Sequence, residues 1–219
     1  MNNLKANYNE VLDELKEFDL RIIAASKYID ENGIIAAYNL GIRDFGENRV
    51  QDALKKLNNL PDEIKNNCEW HFIGHLQSNK VRKVVANFDY IHSIDSLDIA
   101  QTVNRVAGEM NKIQKVLLEV NISQEKSKWG LSEKEVYDIF EQLLKLPNIK
   151  VIGLMGMAEN TSNEGLLEKT FTHLANLQYN IQHKYQVEFK ELSMGMSGDY
   201  KVAAKAGSTM IRLGQRLFK

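Results

Sequence analysis

The chain has 219 residues, 43% hydrophobic and 26% charged, with only two prolines and thirteen glycines, a balance that excludes disordered, collagen-like and disulfide-scaffold classes. Twenty-eight Lys and Arg against twenty-nine Asp and Glu leave a formal charge of −1, so no bulk field draws the protein to nucleic acid or to an anionic membrane, and any anion must be caught locally. The single cysteine, Cys68, cannot form an internal disulfide, and no apolar run reaches the roughly 18 residues of a membrane span. The start Met1-Asn2-Asn3-Leu4-Lys5 lacks the basic-then-apolar pattern of a signal peptide, and a soluble cytoplasmic protein is expected.

Leu4, Tyr8, Val11, Leu12, Leu15 and Phe18 fall three and four apart, the stripe of an amphipathic helix over 4–18. The apolar run 21–26 reads as a strand, followed by a helix over 31–40 that Gly41 stops. The alternation then repeats, with strands at 44–46, 70–74 and 90–93 and helices over 48–57, 79–86 and 96–107. Residues 115–121 form the clearest strand. Ser132, with Glu135 three residues on, completes a capping box for a helix that runs to Leu146 and ends at Pro147. Strands at 151–155, 191–194 and 210–213 alternate with helices over 166–185 and 199–206, and a short stub closes the chain.

Eight short apolar strands, each followed by a helix and with no Pro/Gly/Ser-rich linker between them, predict an α/β protein with a single (β/α)8 TIM-barrel domain over 1–219. The competing open doubly wound sheet lacks its three spaced glycines after the first strand, where Ser26-Lys27-Tyr28 stands. A full-length eighth helix is missing, and the extra N-terminal helix is expected to cover the open flank.

In such a barrel, chemistry sits at the C-terminal ends of the strands. The first strand delivers Lys27; burial there disfavours the charged amine, and a neutral amine attacks an aldehyde to make an imine. The alternative is a solvated lysine. After the seventh strand comes Ser197-Gly198-Asp199, and after the eighth Arg212-Leu213-Gly214-Gln215; loops in these two places are the recurrent phosphate site of the architecture. Gly207-Ser208-Thr209 resembles a phosphate cradle but precedes strand eight, so it reads as a turn on the opposite face with Gly207 as a helix cap. His71 and His75, about 13 Å apart if extended, cannot share a metal ion. Cys68 lies at the wrong end for a nucleophile. Lys80, Arg82 and Lys83 make a basic patch without interleaved aromatics, read as a solvated face. Met155 and Met157 line a pocket floor or fill a core.

The segments Ser26-Lys27, Phe45-Gly46-Glu47-Asn48-Arg49-Val50-Gln51, Trp70-His71-Phe72-Ile73-Gly74-His75-Leu76-Gln77-Ser78-Asn79-Lys80, Gly153-Leu154-Met155-Gly156-Met157, Leu192-Ser193-Met194-Gly195-Met196-Ser197 and Ile211-Arg212-Leu213-Gly214 together resemble the pyridoxal phosphate homeostasis protein family across essentially the whole chain. The resemblance implies a barrel like the N-terminal domain of alanine racemase, with pyridoxal 5′-phosphate (PLP) held as a Schiff base on Lys27. It further implies Arg212 beside the pyridine nitrogen, phosphate contacts from Ser197, Gly214 and Gln215, and Asn48 and His75 facing the cofactor. A cationic guanidinium at the ring nitrogen disfavours its protonation and restrains carbanion chemistry. The second base that alanine racemases draw from an extra β-domain is not expected here. Two places depart from the family pattern: Tyr28-Ile29-Asp30, where relatives often carry a proline, and the ending Leu217-Phe218-Lys219.

The expectation is a monomeric vitamin B6 binder that buffers PLP or hands it to PLP-dependent apoenzymes, without strong catalysis and with no nucleic-acid or membrane partner. A slow amino-acid racemase using Lys27 and His75 or water is the alternative. A barrel lyase forming an imine with a sugar phosphate is a third reading.

Overall fold

The computed structural model describes residues 3–123 and 129–219, so Met1 and Asn2 of the N-terminal start lie outside it. Helix α1 (Leu4–Glu14) precedes β1 (Arg21–Ala25) and α2 (Glu31–Asn39); β2 (Asp44–Glu47) leads to α3 (Val50–Asn59) and a short α4 (Asp62–Asn66). β3 (Glu69–Phe72) is followed by α5 (Val81–Asn87), and β4 (Tyr90–Ile94) by α6 (Leu97–Glu109). β5 (Gln114–Val120) is followed by α7 (Glu133–Leu143), and β6 (Ile149–Gly156) by α8 (Glu164–Tyr185). β7 (Glu191–Met196), α9 (Tyr200–Lys205), β8 (Met210–Leu213) and α10 (Gln215–Phe218) complete the series. Among the described residues the eight strands are all parallel, in chain order, and β8 pairs with β1 to close the barrel.

Local chemistry sets the helix starts. Asp30 accepts from the Gly33 N–H, Ser96 from the Ile99 N–H and Asn163 from the Leu166 N–H, each satisfying an otherwise orphaned donor of the first turn. The expected capping box is present, Ser132 and Glu135 each bonding the other's backbone N–H. Helix α1 stops at Glu14 instead of running to Phe18, which packs on the core from the turn beyond it. Helix α3 begins at Val50 because Arg49 is extended. Helix α4, five residues after Pro61, was not foreseen, since one turn carries no periodic signal.

Two apolar zones result. One lies between strands and helices and contains Phe45, Phe88, Phe140 and Phe171, all fully buried. The other plugs the barrel interior with Ile23, Tyr90, Leu117, Ile152, Met155 and Met210, and Met157 packs against it, so these methionines fill space. At the N-terminal end of the strands Arg21 pairs with Asp44 at 3.2 Å and Glu191 at 2.8 Å. Helix α1 does cover the flank beside the stub: Asn7 Nδ2 donates to the Leu217 carbonyl at 3.0 Å, and Arg216 pairs with Glu10 at 3.0 Å. Gly207, with φ +93°, ends α9 as expected, and Ser208 is buried against the carbonyls of Leu192, Met194 and Met210. No helix of the described residues is long and apolar enough to cross a membrane.

Candidate functional site

Lys27 sits in a 3₁₀ turn, Ser26–Tyr28, directly after β1. A buried cluster anchors the turn: Ser26 Oγ donates to Glu47 Oε1 at 2.6 Å, and Lys56 Nζ donates both to that carboxylate oxygen at 2.8 Å and to the Ser26 carbonyl at 2.7 Å. Glu47 is 1% exposed, so the β1 loop, the end of β2 and α3 are tied through one desolvated carboxylate. Lys27 itself is exposed, which is the solvated one of its two readings; its Nζ lies 5.1 Å from the Tyr28 ring centroid. With Asn48 it lines a cavity of about 710 Å³ that also takes in Glu47, Arg49 and Lys56. Asn48 Oδ1 is buried there without a hydrogen-bond partner among the described residues.

The loops after β7 and β8 converge. Ser197 Oγ accepts the backbone N–H of Gly214 at 3.3 Å and of Arg216 at 3.1 Å, so two main-chain donors point at one oxygen. Gln215 lies between these two donors at the start of α10. Gly214 also touches the Lys27 turn: a Cβ there would come within 2.7 Å of the Tyr28 ring. The cause is the closure of the barrel, which sets Ala24 of β1 opposite Leu213 of β8 and makes the two following loops neighbours.

Arg212, 6% exposed, stands on the inner wall of β8, donating through Nη1 to Ser193 Oγ and through Nη2 to the Gly156 carbonyl at 3.1 Å. Burial lowers its pKa to about 10, partly opposed by Asp199 and Glu119, so it remains a cation at neutral pH. Glu119, at the same end of β5, is 4% exposed; burial and then Asp95 push its carboxyl up to about 7, against the pull of Arg212.

His75 is placed elsewhere. It pairs with Asp95 at 3.2 Å, stacks on Trp129 at 3.8 Å between ring centroids, and lines a separate cavity of about 520 Å³ with Ser96 and Gly130. The structure therefore groups Lys27 with Asn48, joins Ser197 to Gly214 and sets Arg212 on the wall of β8, while His75 opens onto its own hollow. Cys68 precedes β3, and burial pushes its thiol up to about 11, as suits an inert residue. Among the described residues no group of three or more His, Cys, Asp or Glu could hold a metal ion.

The sequence reading passed over Glu119, Ser193 and His92. Their signal was parity: on β5, Lys115, Leu117 and Glu119 share the inner face, and on β7 Glu191 and Ser193 do, so a polar residue two places from an inward apolar one is itself inward.

The family model described as alanine racemase, N-terminal domain, matches residues 1–219. A pyridoxal phosphate homeostasis protein of Synechocystis is 44% identical over 211 residues, covering 96% of this chain and 95% of the relative; that of Escherichia coli K12 is 33% identical over 227 residues, covering 100% and 97%. The solved structure of PipY from Synechococcus elongatus without PLP superposes with a TM-score of 0.93 at 34% identity, covering 99% of this chain and all of that one, and the form with PLP bound with 0.89. An alanine racemase of Clostridium difficile, 15% identical and matched over 56% of its length, shares the fold with a TM-score of 0.80. With a barrel of this kind and relatives that match end to end, the chain belongs to the pyridoxal phosphate homeostasis protein family.

Proposed function

We propose that this protein binds PLP at the C-terminal mouth of the barrel and keeps it in reserve for apoenzymes, as a carrier and not as an efficient enzyme. The observation that carries the reading is the β1–β8 closure, which brings the turn that carries Lys27 against the loop in which two backbone N–H groups converge on Ser197, with Tyr28 packed at Gly214. The donor set suits the ligand. The N–H groups of Gly214 and Arg216 are free to receive phosphate oxygens once Ser197 Oγ turns to become a third donor, and the Gln215 N–H lies between them. The orphaned Asn48 Oδ1 offers an acceptor in the wall next to Lys27, and Arg212 offers a buried donor for a ring nitrogen.

When bound, PLP supplies an aldehyde that condenses with a primary amine and loses water. Lys27 is the amine we assign to it. The Glu47 cluster holds the Lys27 turn in place, and the buried Arg212 guanidinium would disfavour a proton on a pyridine nitrogen held against it. Because Lys27 is exposed, amines from solvent would have access to its position, as a reserve requires.

The experiment is the visible spectrum of the purified chain with PLP, followed by borohydride reduction and peptide mapping. The expected result is a yellow protein with the cofactor mass on Lys27, discharged by excess amino acid, and a colourless Lys27→Ala variant. A chain that takes up no PLP, or that carries it on another lysine, overturns the assignment.

A further inference from the structure

We infer that Ser193, His92, His71 and Asp44 are positioning residues for Arg212: they form one hydrogen-bonded column, of fixed direction, that runs through the inside of the barrel and holds the guanidinium from behind. The contacts are continuous. Arg212 Nη1 meets Ser193 Oγ; Ser193 Oγ lies 2.9 Å from His92 Nδ1; His92 Nε2 lies 3.0 Å from His71 Nδ1; and His71 Nε2 lies 3.0 Å from Asp44 Oδ1. The column crosses from β8 to β7, β4, β3 and β2, from the mouth that carries the candidate site to the opposite face. Both histidines and Ser193 are fully buried, so no solvent supplies a substitute partner.

Each direction is forced by the one before it. Burial lowers the pKa of both histidines, His92 strongly, so each ring is neutral and carries a single N–H. Asp44, paired with Arg21, can only accept, so His71 Nε2 carries the hydrogen and its Nδ1 is an acceptor. His92 must then donate from Nε2 and accept at Nδ1. The Ser193 hydroxyl spends its one hydrogen on His92 and turns a lone pair to Arg212. Every donor finds an acceptor, and all four bond dipoles point from the cation towards the anion, the favourable sense. Tyr90, stacked 4.4 Å from His71 and nearly parallel to it, fixes the ring plane. Arg21, Glu69, Tyr90 and Lys115 surround the Asp44 end, and Glu119 and Asp199 face Arg212.

A neutral polar core placed only for packing tolerates either tautomer. A positioning column does not, because one reversed ring leaves Ser193 with its hydrogen aimed at a cation. The ligand half of this inference rests on the proposed PLP site; the tautomer half does not.

The test uses the full chain labelled with ¹⁵N-histidine and ¹⁵N-arginine. Long-range proton–nitrogen correlation without PLP is expected to show His71 and His92 neutral with the hydrogen on Nε2 at pH 7 and pH 8; an Nδ1–H ring or an imidazolium at either position overturns the column. Ser193→Ala is expected to shift and broaden the Arg212 guanidinium signals and to weaken PLP binding about tenfold, the range of one hydrogen bond to a charged group. Asp44→Asn, which keeps an acceptor oxygen, is expected to keep the tautomers seen in the parent. A folded Ser193→Ala protein with unmoved Arg212 signals and unchanged PLP affinity overturns the positioning role. If the parent chain itself takes up no PLP, the binding reading fails alone, and the tautomers and Arg212 signals still decide the column.

Discussion

Glu119 and Arg212 face one another inside the mouth of the barrel as buried groups that share no hydrogen bond: Arg212 donates to Ser193 and Gly156, and Glu119 Oε2 has no partner among the described residues. Burial, then Asp95, raises the Glu119 pKa from 4.5 to about 7. The folded protein therefore binds more protons than the unfolded chain between these values, and stability falls as pH rises through that window. The penalty is absent below about pH 4.5 and complete above about pH 7, where it amounts to about 3 kcal/mol. Glu119→Gln removes the ionisation and keeps the shape. Urea unfolding is expected to show the variant more stable than the parent at pH 8 and nearly equal to it at pH 5; equal stabilities at pH 8 would refute the buried ionisation.

His71 and His92 act in the opposite sense. Both have depressed pKa values when folded, so the unfolded chain takes up protons first and stability is lost as pH falls below about 6.5. The slope is limited to about 1.4 kcal/mol per pH unit for each histidine. Because Glu119 works against this across an overlapping range, the effect is cleanest in the Glu119→Gln protein. There, the pH dependence of urea unfolding between pH 6.5 and 5 should correspond to an uptake of one to two protons, and His92→Gln should reduce it by about one.

Glu47 is the desolvated hub beneath the Lys27 turn, and Lys56 depends on it. Removing one member of a buried pair leaves the other charge stranded, which costs about 3–5 kcal/mol. Glu47→Ala should lower the melting temperature sharply and release the Lys27 turn, seen as faster amide exchange at Ser26 to Tyr28. Replacing Glu47 and Lys56 together by leucine and methionine should recover much of the stability but not the anchored turn.

Gly214 has no room for a side chain, since a Cβ would lie 2.7 Å from the Tyr28 ring and 3.5 Å from the Ala25 Cβ. Gly214→Ala must push the ring aside and so separate the Lys27 turn from the N–H pair at Ser197. The expected outcome is a protein that melts within a few degrees of the parent yet binds PLP at least tenfold more weakly, measured by absorbance titration. Unchanged affinity would show that the two loops need not touch.

Much of this was legible before any coordinates. Strand-length apolar runs such as 115–121 and the Ser132 to Glu135 box fixed elements within a few residues, because burial on both faces of a parallel strand and local capping are written in neighbouring residues. Lys27, Ser197, Gly214 and Arg212 could be singled out because strand ends are where a barrel exposes its chain. The interior column could not. His71 entered the reading as a failed metal ligand and within a family block, and His92 as part of a strand, since their partnership depends on which strands face across the barrel, a relation that no local pattern carries. The choice between a buried and a solvated Lys27 stayed open for a related reason: the turn that follows β1 sets its exposure.

The seam of the ring joins the first strand to the last, so its two flanking loops are brought together only when the C-terminal segment docks. Contacts between such distant parts of a chain carry the largest entropic cost and form late in folding. A ligand that grips both loops would act as a clasp on the finished ring, its occupancy opposing reopening at the joint between the first and last strands.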